Sequence, residues 1–263
     1  MKQTKQIYVG SIPVGGGAPV PVQSMTNTCT ADAEATLTQI RALAAAGCDI
    51  IRCAVPDEAA AQAMKRICAE SPLPVVADIH FDYKLALASV EAGAKKIRIN
   101  PGNIGSAERI RAVADACRER NIPIRVGVNT GSIEKDILEM FGRCPEALME
   151  SALRNVHILE DANFDNICIS LKSSDVTETV EAYSLLSERT NYPLHVGVTE
   201  AGTAYNGLVR SAVGIGTLLS AFCSGPILQL VFRLVEFDAT AIKHQQLADS
   251  FAVISWNRKI ERF

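Results

Sequence analysis

The sequence predicts an α/β fold of the (β/α)8 TIM-barrel type, on three observations. A short β-rich run followed by a helix-like stretch recurs seven times at near-even spacing. Repeated strand–helix units imply parallel strands joined by crossovers. The length, 263 residues, suits a barrel of about 250 residues. No GxGxxG follows the first strand, so the dinucleotide fingerprint of the competing fold, an open doubly wound sheet, is missing.

The strand-like runs, in order, are PVPVQSMTN (19–27), CDIIRCAVP (48–56), PVVADIHFD (74–82), AKKIRINPGN (94–103), PIRVGVNTGS (123–132), DNICISLKSS (165–174) and YPLHVGVTEAG (192–202). Each is rich in β-branched residues and ends in polar or turn-forming ones. Between them lie ADAEATLTQIRALAAAG, PDEAAAQAMKRICAE, YKLALASVEAG, SAERIRAVADACRER, CPEALMESALRNVHILEDAN and VTETVEAYSLLSERT. Several end in Gly or Asn just before the next strand, as helix C-caps do. GGGAP (15–19) precedes no helix and lacks GK[ST], so it reads as a hairpin or loop leading into strand one rather than a phosphate loop.

Composition narrows the function. Hydrophobic residues are 48% and charged residues 21%, ordinary for a globular core. The net charge of −3 and a pI near 5.9 argue against a general nucleic-acid or anionic-membrane binder. No run reaches the roughly 18 apolar residues of a membrane span. MKQTKQIYVG has no signal-peptide core, so a soluble cytoplasmic protein is expected. None of the eight cysteines is spaced as CxxC. No metal site is visible, and most of the cysteines read as small buried hydrophobes.

The polar residues gather at one end of the strands. Side chains alternate along a strand. Arg98 and Asn100 therefore share a face, as do Arg125 and Asn129, Asp78 and His80, and Cys168, Ser170 and Lys172. Glu200 closes HVGVTEAG and Arg52 sits within DIIRCAVP. Each alone is an ordinary salt-bridge or structural residue. Together they place a charged group near the same end of six consecutive strands, where barrel enzymes build their sites. Three arginines and a lysine at one mouth make an anion site, and arginine suits bidentate phosphate binding. Glu200 among such cations is expected to be ionised and suited to acid/base work. Asp78 and His80 are expected to orient each other or a substrate hydroxyl. NPGNIG is expected to lend backbone amides to the anion.

At these positions the stretches VPVQSMTNT, VADIHFDYKLAL, IRINPGNIG, PIRVGVNTGS, SLKSSDV and GVTEAG resemble the 4-hydroxy-3-methylbut-2-en-1-yl diphosphate synthase family, from about Gln6 to Ser220. The resemblance implies a barrel that binds 2-C-methyl-D-erythritol 2,4-cyclodiphosphate. It also implies reductive ring opening in the methylerythritol phosphate route to isoprenoids, with electrons from flavodoxin or ferredoxin through a 4Fe–4S cluster. By motif it carries over Arg52, Arg98, Arg125 and Lys172 as diphosphate-binding cations, Asn100 and Asn129 as polar contacts, and Glu200 as acid/base. It further implies a homodimer at full length.

The resemblance stops near Ser220. Residues 1–220 read as the barrel and 221–263 as a divergent tail. Its apolar run from Ile227 to Phe232 stands where strand eight is due, with Leu228 and Leu230 in place of the family's arginine and serine. The family's later iron–sulphur domain has no counterpart, and Cys223 is the last cysteine. A frameshift, a specialised short form and a split gene are the three explanations. This chain alone is expected to bind the diphosphate without reducing it. The alternatives are a non-catalytic barrel module paired with a cluster-bearing protein, or another phosphate-binding barrel enzyme shaped like the pteroate synthases.

Overall fold

The computed structural model describes residues 4–199 and 203–222. A hairpin of β1 (Ile7–Val9) and β2 (Ile12–Val14) comes first. Then follow β3 (Gln23–Met25), α1 (Ala33–Ala45), β4 (Ile50–Ala54), α2 (Glu58–Glu70), β5 (Val75–Asp78), α3 (Tyr83–Glu91), β6 (Lys96–Ile99), α4 (Pro101–Ile104) and α5 (Ala107–Glu119). The chain continues with β7 (Ile124–Asn129), a 3-10 turn (Thr130–Ser132), α6 (Lys135–Phe141), α7 (Pro145–Asp161), β8 (Ile167–Lys172), α8 (Val176–Arg189) and α9 (Ala204–Phe222). Strands β3 to β8 form one parallel sheet in sequence order. This is the strand–helix succession expected of a barrel. The strand-eight run 227–232, the rest of the tail and Cys223 lie outside the described residues.

Local chemistry starts and stops these helices. Asp32, Asp57, Asp82 and Asp175 each accept a first-turn backbone N–H at 2.8–3.0 Å, a cap worth about 0.5–2 kcal/mol. The residues after the C-caps of α1, α3, α5 and α7 are Gly47, Gly93, Asn121 and Asn163, all with positive φ. The Gly/Asn endings read from sequence are thus left-handed helix stops.

Alternation along the strands separates two cores. Ile51, Cys53, Ala77, Ile97, Ile99, Val126, Val128, Ile169 and Leu171 face the helices and are buried there. Burying an aliphatic side chain contributes about 1.5–3 kcal/mol. The opposite face carries Ile50, Val76 and Cys168 at its N-terminal end, packed under Ile7, Val9 and Val14 of the hairpin. The hairpin therefore plugs the floor. The sheet is curled strongly enough that Lys96 Nζ on β6 donates to Gln23 Oε1 on β3, three strands away, at 2.8 Å.

The seventh predicted strand, 192–202, is a correction as far as its described residues, 192–199, go. Among these an isolated bridge, Ile169 to Leu194, replaces a continuous strand beside β8. Ile169 N donates to Pro193 O and His195 N to Ile169 O, as in a parallel ladder. The next rung would run from Leu171 N to His195 O. Instead the buried Tyr183 hydroxyl stands between them, accepting from Leu171 N at 3.0 Å and donating to His195 O. Helices α4, α6 and α9 also go beyond the sequence reading. No described helix is long and apolar enough to cross a membrane.

Tyr183→Phe leaves the Leu171 amide and the His195 carbonyl without the hydroxyl that joins them. The expected cost is about 1–3 kcal/mol of stability, read as a lower urea midpoint at unchanged slope. An unchanged midpoint would show that the two segments close directly.

Candidate functional site

The inward face changes character above the floor. By register and alternation, strands β3–β8 turn inward five basic residues, Arg52, Lys96, Arg98, Arg125 and Lys172, and one acidic residue, Asp78. Asp78 is in register with Arg98, and Arg98 with Arg125. One acid thus sits beside a row of cations on neighbouring strands.

Asp78 holds this group together. Its side chain is only 4% exposed. Arg98 Nη1 lies 3.0 Å from Oδ1, while Arg52 Nε and His80 Nε2 lie 3.7 and 3.5 Å from Oδ2. Burial pushes the Asp78 carboxyl up, but His80 and the charges of Arg52 and Arg98 outweigh it and hold the carboxyl well below the usual range. Arg52 also points Nε and Nη2 at Met25 Sδ, 3.0 and 2.7 Å away. For Arg98, burial pushes the guanidinium down, Asp78 opposes this, and Arg125 and Arg52 add to it.

The predicted site residues divide accordingly. Arg52, Arg98, Arg125 and Asp78 are brought together. Lys172 is buried and in register with Asn129 at the end of β7. Arg125 is fully enclosed, in register with Arg98. His80 is half exposed at the rim, next to Phe81, which is 70% exposed. Asp78 and His80, expected to orient each other or a substrate hydroxyl, lie 3.5 Å apart, and Asp78 is also the counter-charge of Arg52 and Arg98. Asn100 is buried just past the end of β6. It caps α4, and its Oδ1 accepts from Gly102 N at 3.2 Å. Glu200 lies outside the described residues.

Two amides of NPGNIG bond within the protein: Asn103 N donates to Asn100 O, and Gly102 N reaches α7. Gly102 N donates to Asn155 Oδ1 on α7 at 2.7 Å. Asn155 Nδ2 donates to Glu134 Oε1 at 3.0 Å, and Ser151 Oγ to Glu134 Oε2 at 2.5 Å. This buried network ties the loops after β6 and β7 to one helix. Asn155, Ser151 and Glu134 carried no signal in sequence, since a polar residue within a helical stretch reads as a solvated face. Gln23 and Lys96 were visible in the alternation but unmatched, because their partnership spans 73 positions.

The described residues do not fit an iron–sulphur cluster. Among the described residues no three His, Cys, Asp or Glu side chains converge as metal ligands. Burial pushes the thiols of Cys48, Cys68 and Cys117 up to about 12 and Cys53 to about 11, far from the thiolate form that binds metal. Cys48, Cys53, Cys117 and Cys168 are buried, Cys68 and Cys144 half-buried, and Cys29 exposed. Most described cysteines are thus buried or half-buried, as expected, and Cys29, on the loop between β3 and α1, is exposed.

Comparison with known proteins gives concordant results. The GcpE TIM-barrel domain matches residues 4–225. Three relatives carry the name 4-hydroxy-3-methylbut-2-en-1-yl diphosphate synthase (flavodoxin). Those of Geobacter sulfurreducens, Brevibacillus brevis and Clostridium acetobutylicum are 59%, 57% and 58% identical over 83% of this chain. The chain spans 61–63% of their lengths, less than two thirds. Among solved structures, Burkholderia cenocepacia dihydropteroate synthase superposes with a TM-score of 0.63 at 14% identity, covering 100% of this chain and 99% of that one. A truncated 3-deoxy-D-arabino-heptulosonate 7-phosphate synthase from Thermotoga maritima gives 0.64 at 11%, covering 99% and 92%. At such identities the likeness shows the fold alone.

The depressed Asp78 carboxyl fixes the sign of a pH effect. A group whose folded pKa is lowered contributes stability above its unfolded pKa, near 4, and loses it as pH falls through the folded value. Asp78→Asn is therefore expected to cost about 3–5 kcal/mol at pH 6, where it leaves buried cations uncompensated. Its deficit against the unmodified protein should shrink as pH falls below 4. Urea midpoints at both pH values check this, and a deficit independent of pH would contradict the ion-pair account.

Proposed function

Because the chain belongs to the GcpE TIM-barrel family, we propose that it is the substrate-binding barrel of a 4-hydroxy-3-methylbut-2-en-1-yl diphosphate synthase. Its substrate is 2-C-methyl-D-erythritol 2,4-cyclodiphosphate. The observation that carries the proposal is the row of cations on neighbouring strands, with Asp78 bonded to Arg98 and paired with Arg52.

A diphosphate presents several anionic oxygens within a few ångströms. A preorganised set of guanidinium donors meets them without rearrangement, and each charge-assisted hydrogen bond contributes about 1.5–3 kcal/mol. Arg98 and Arg52 grip the diphosphate, with Asp78 fixing their orientation. Arg125, beside Arg98 on β7, adds positive charge for the diphosphate, as Lys172 does at the ends of β7 and β8. Asn100 and Asn129 stand at the starts of the loops that border the ligand, and His80 at the rim. Glu200 serves as the acid/base residue that moves a proton as the ring opens. The described residues offer no ligand set for a cluster, so no step is assigned through one here. Flavodoxin, named in the relatives, or ferredoxin supplies the two electrons the overall reaction consumes. The full-length protein works as a cytoplasmic homodimer. Residues 1–220 form the binding domain and 221–263 a divergent tail, a boundary two residues short of the end of α9.

A second reading has an observation of its own. Among the described residues no donor set fits a cluster, and a barrel that binds the diphosphate and leaves reduction to a cluster-bearing partner is the alternative.

Calorimetric titration with the cyclodiphosphate tests the proposal. The chain is expected to bind it, and Arg98→Ala to weaken binding by about tenfold to a hundredfold or more. Absence of binding, or an unaffected Arg98→Ala variant, would overturn it. Reduced flavodoxin added to the bound chain is expected to give no turnover. Turnover would defeat the view that this chain only binds.

A further inference from the structure

We propose that Gly127 is a positioning residue of the diphosphate site, whose missing side chain forms the seat on which the Arg98 guanidinium lies. The inference rests on the reading above that Arg98 grips the diphosphate.

Arg98 and Arg125 face each other across β6 and β7. Gly127 is the next inward position along β7, opposite Ser170 of β8. The Arg98 side chain therefore runs diagonally toward the mouth and crosses the neighbouring strand at Gly127. A Cβ built there would meet Arg98 Nε at 2.7 Å, Nη2 at 3.1 Å and Cζ at 3.3 Å. All three nearest atoms belong to that one guanidinium. Nε is buried without a hydrogen-bond partner, as expected of a group pressed flat against a strand. Nη1, from the other edge of the group, reaches Asp78 Oδ1.

Two ordinary reasons for a strand glycine fail here. Gly127 is not among the glycines of positive φ, so backbone conformation does not require it. It stands inside a continuous ladder with β8, so it marks no bulge. What remains is volume. A methyl group at 127 must lift the guanidinium off the strand, which pulls Nη1 from Asp78 and shifts the donors that face the ligand. The small residue thus sets where Arg98 points, and it acts only through Arg98.

The experiment is a double-mutant cycle on the full chain, with inorganic pyrophosphate as the probe and affinity read by calorimetry. Gly127→Ala is expected to weaken binding by about tenfold or more, comparable with the loss of one charge-assisted hydrogen bond. In the Arg98→Ala background the same substitution is expected to change nothing, because the atoms it collides with are gone. A merely structural role would weaken binding in both backgrounds. Equal loss in both, or wild-type affinity in Gly127→Ala, would overturn the inference while leaving the site reading intact. No pyrophosphate binding by the unmodified chain, or no effect of Arg98→Ala, would overturn the site reading and this inference with it. If Gly127→Ala does not fold, the double variant decides: recovery of the fold places the collision on Arg98, and failure of both removes it from there.

Discussion

The attraction between the Asp78 carboxylate and the guanidinium groups of Arg52 and Arg98 is the constraint on which the inward face depends. Cations on neighbouring strands repel one another, and burial strengthens the repulsion by removing water. A shared counter-charge turns that repulsion into a fixed geometry. Asp78 is itself fixed by the sheet, because Val55 N donates to its carbonyl and the next amide, Ile79 N, donates to Arg98 O. The main chain of three strands thus sets the carboxylate, and the carboxylate sets the two arginines. Disturbance at any one of these reaches the others, since Arg52 and Arg98 share the one carboxylate.

The alternation that decides which residues face inward was readable directly. It selected Arg52, Asp78, Arg98, Arg125 and Lys172, and the structure gathers these on one face. The helix stops at Gly47, Gly93, Asn121 and Asn163 were legible for a related reason: a left-handed residue carries its own chemical signature. What stayed hidden were contacts between residues distant in sequence. Periodicity reports the face a side chain leaves from, not how far it reaches. It could not show that Asn100 turns back on its own loop, that Asn155 joins two loops through Gly102 and Glu134, or that Tyr183 interrupts the ladder after β8. Gly127 was hidden in another way, since a glycine within an apolar strand looks like local weakness until the arginine across from it is placed.

Dihydropteroate synthase shares the backbone plan at 14% identity, which separates what the fold supplies from what the site supplies. The fold supplies parallel strands whose C-terminal ends converge, with helices covering their outer face. Chemistry resides in a handful of inward positions, and those vary freely beneath a common ring of helices. In this chain the inward face is layered. Apolar side chains fill the floor, the Lys96–Gln23 bond crosses the middle, and the arginine–carboxylate group occupies the upper part.

The hairpin β1–β2 has a consequence for traffic. Ile7, Val9 and Val14 pack against Ile50, Val76 and Cys168, so the N-terminal end of the inward face is occupied by apolar side chains. An anion that reaches the arginines from that end would have to cross this apolar layer and shed its water there, so the approach that costs least is from the C-terminal ends of the strands.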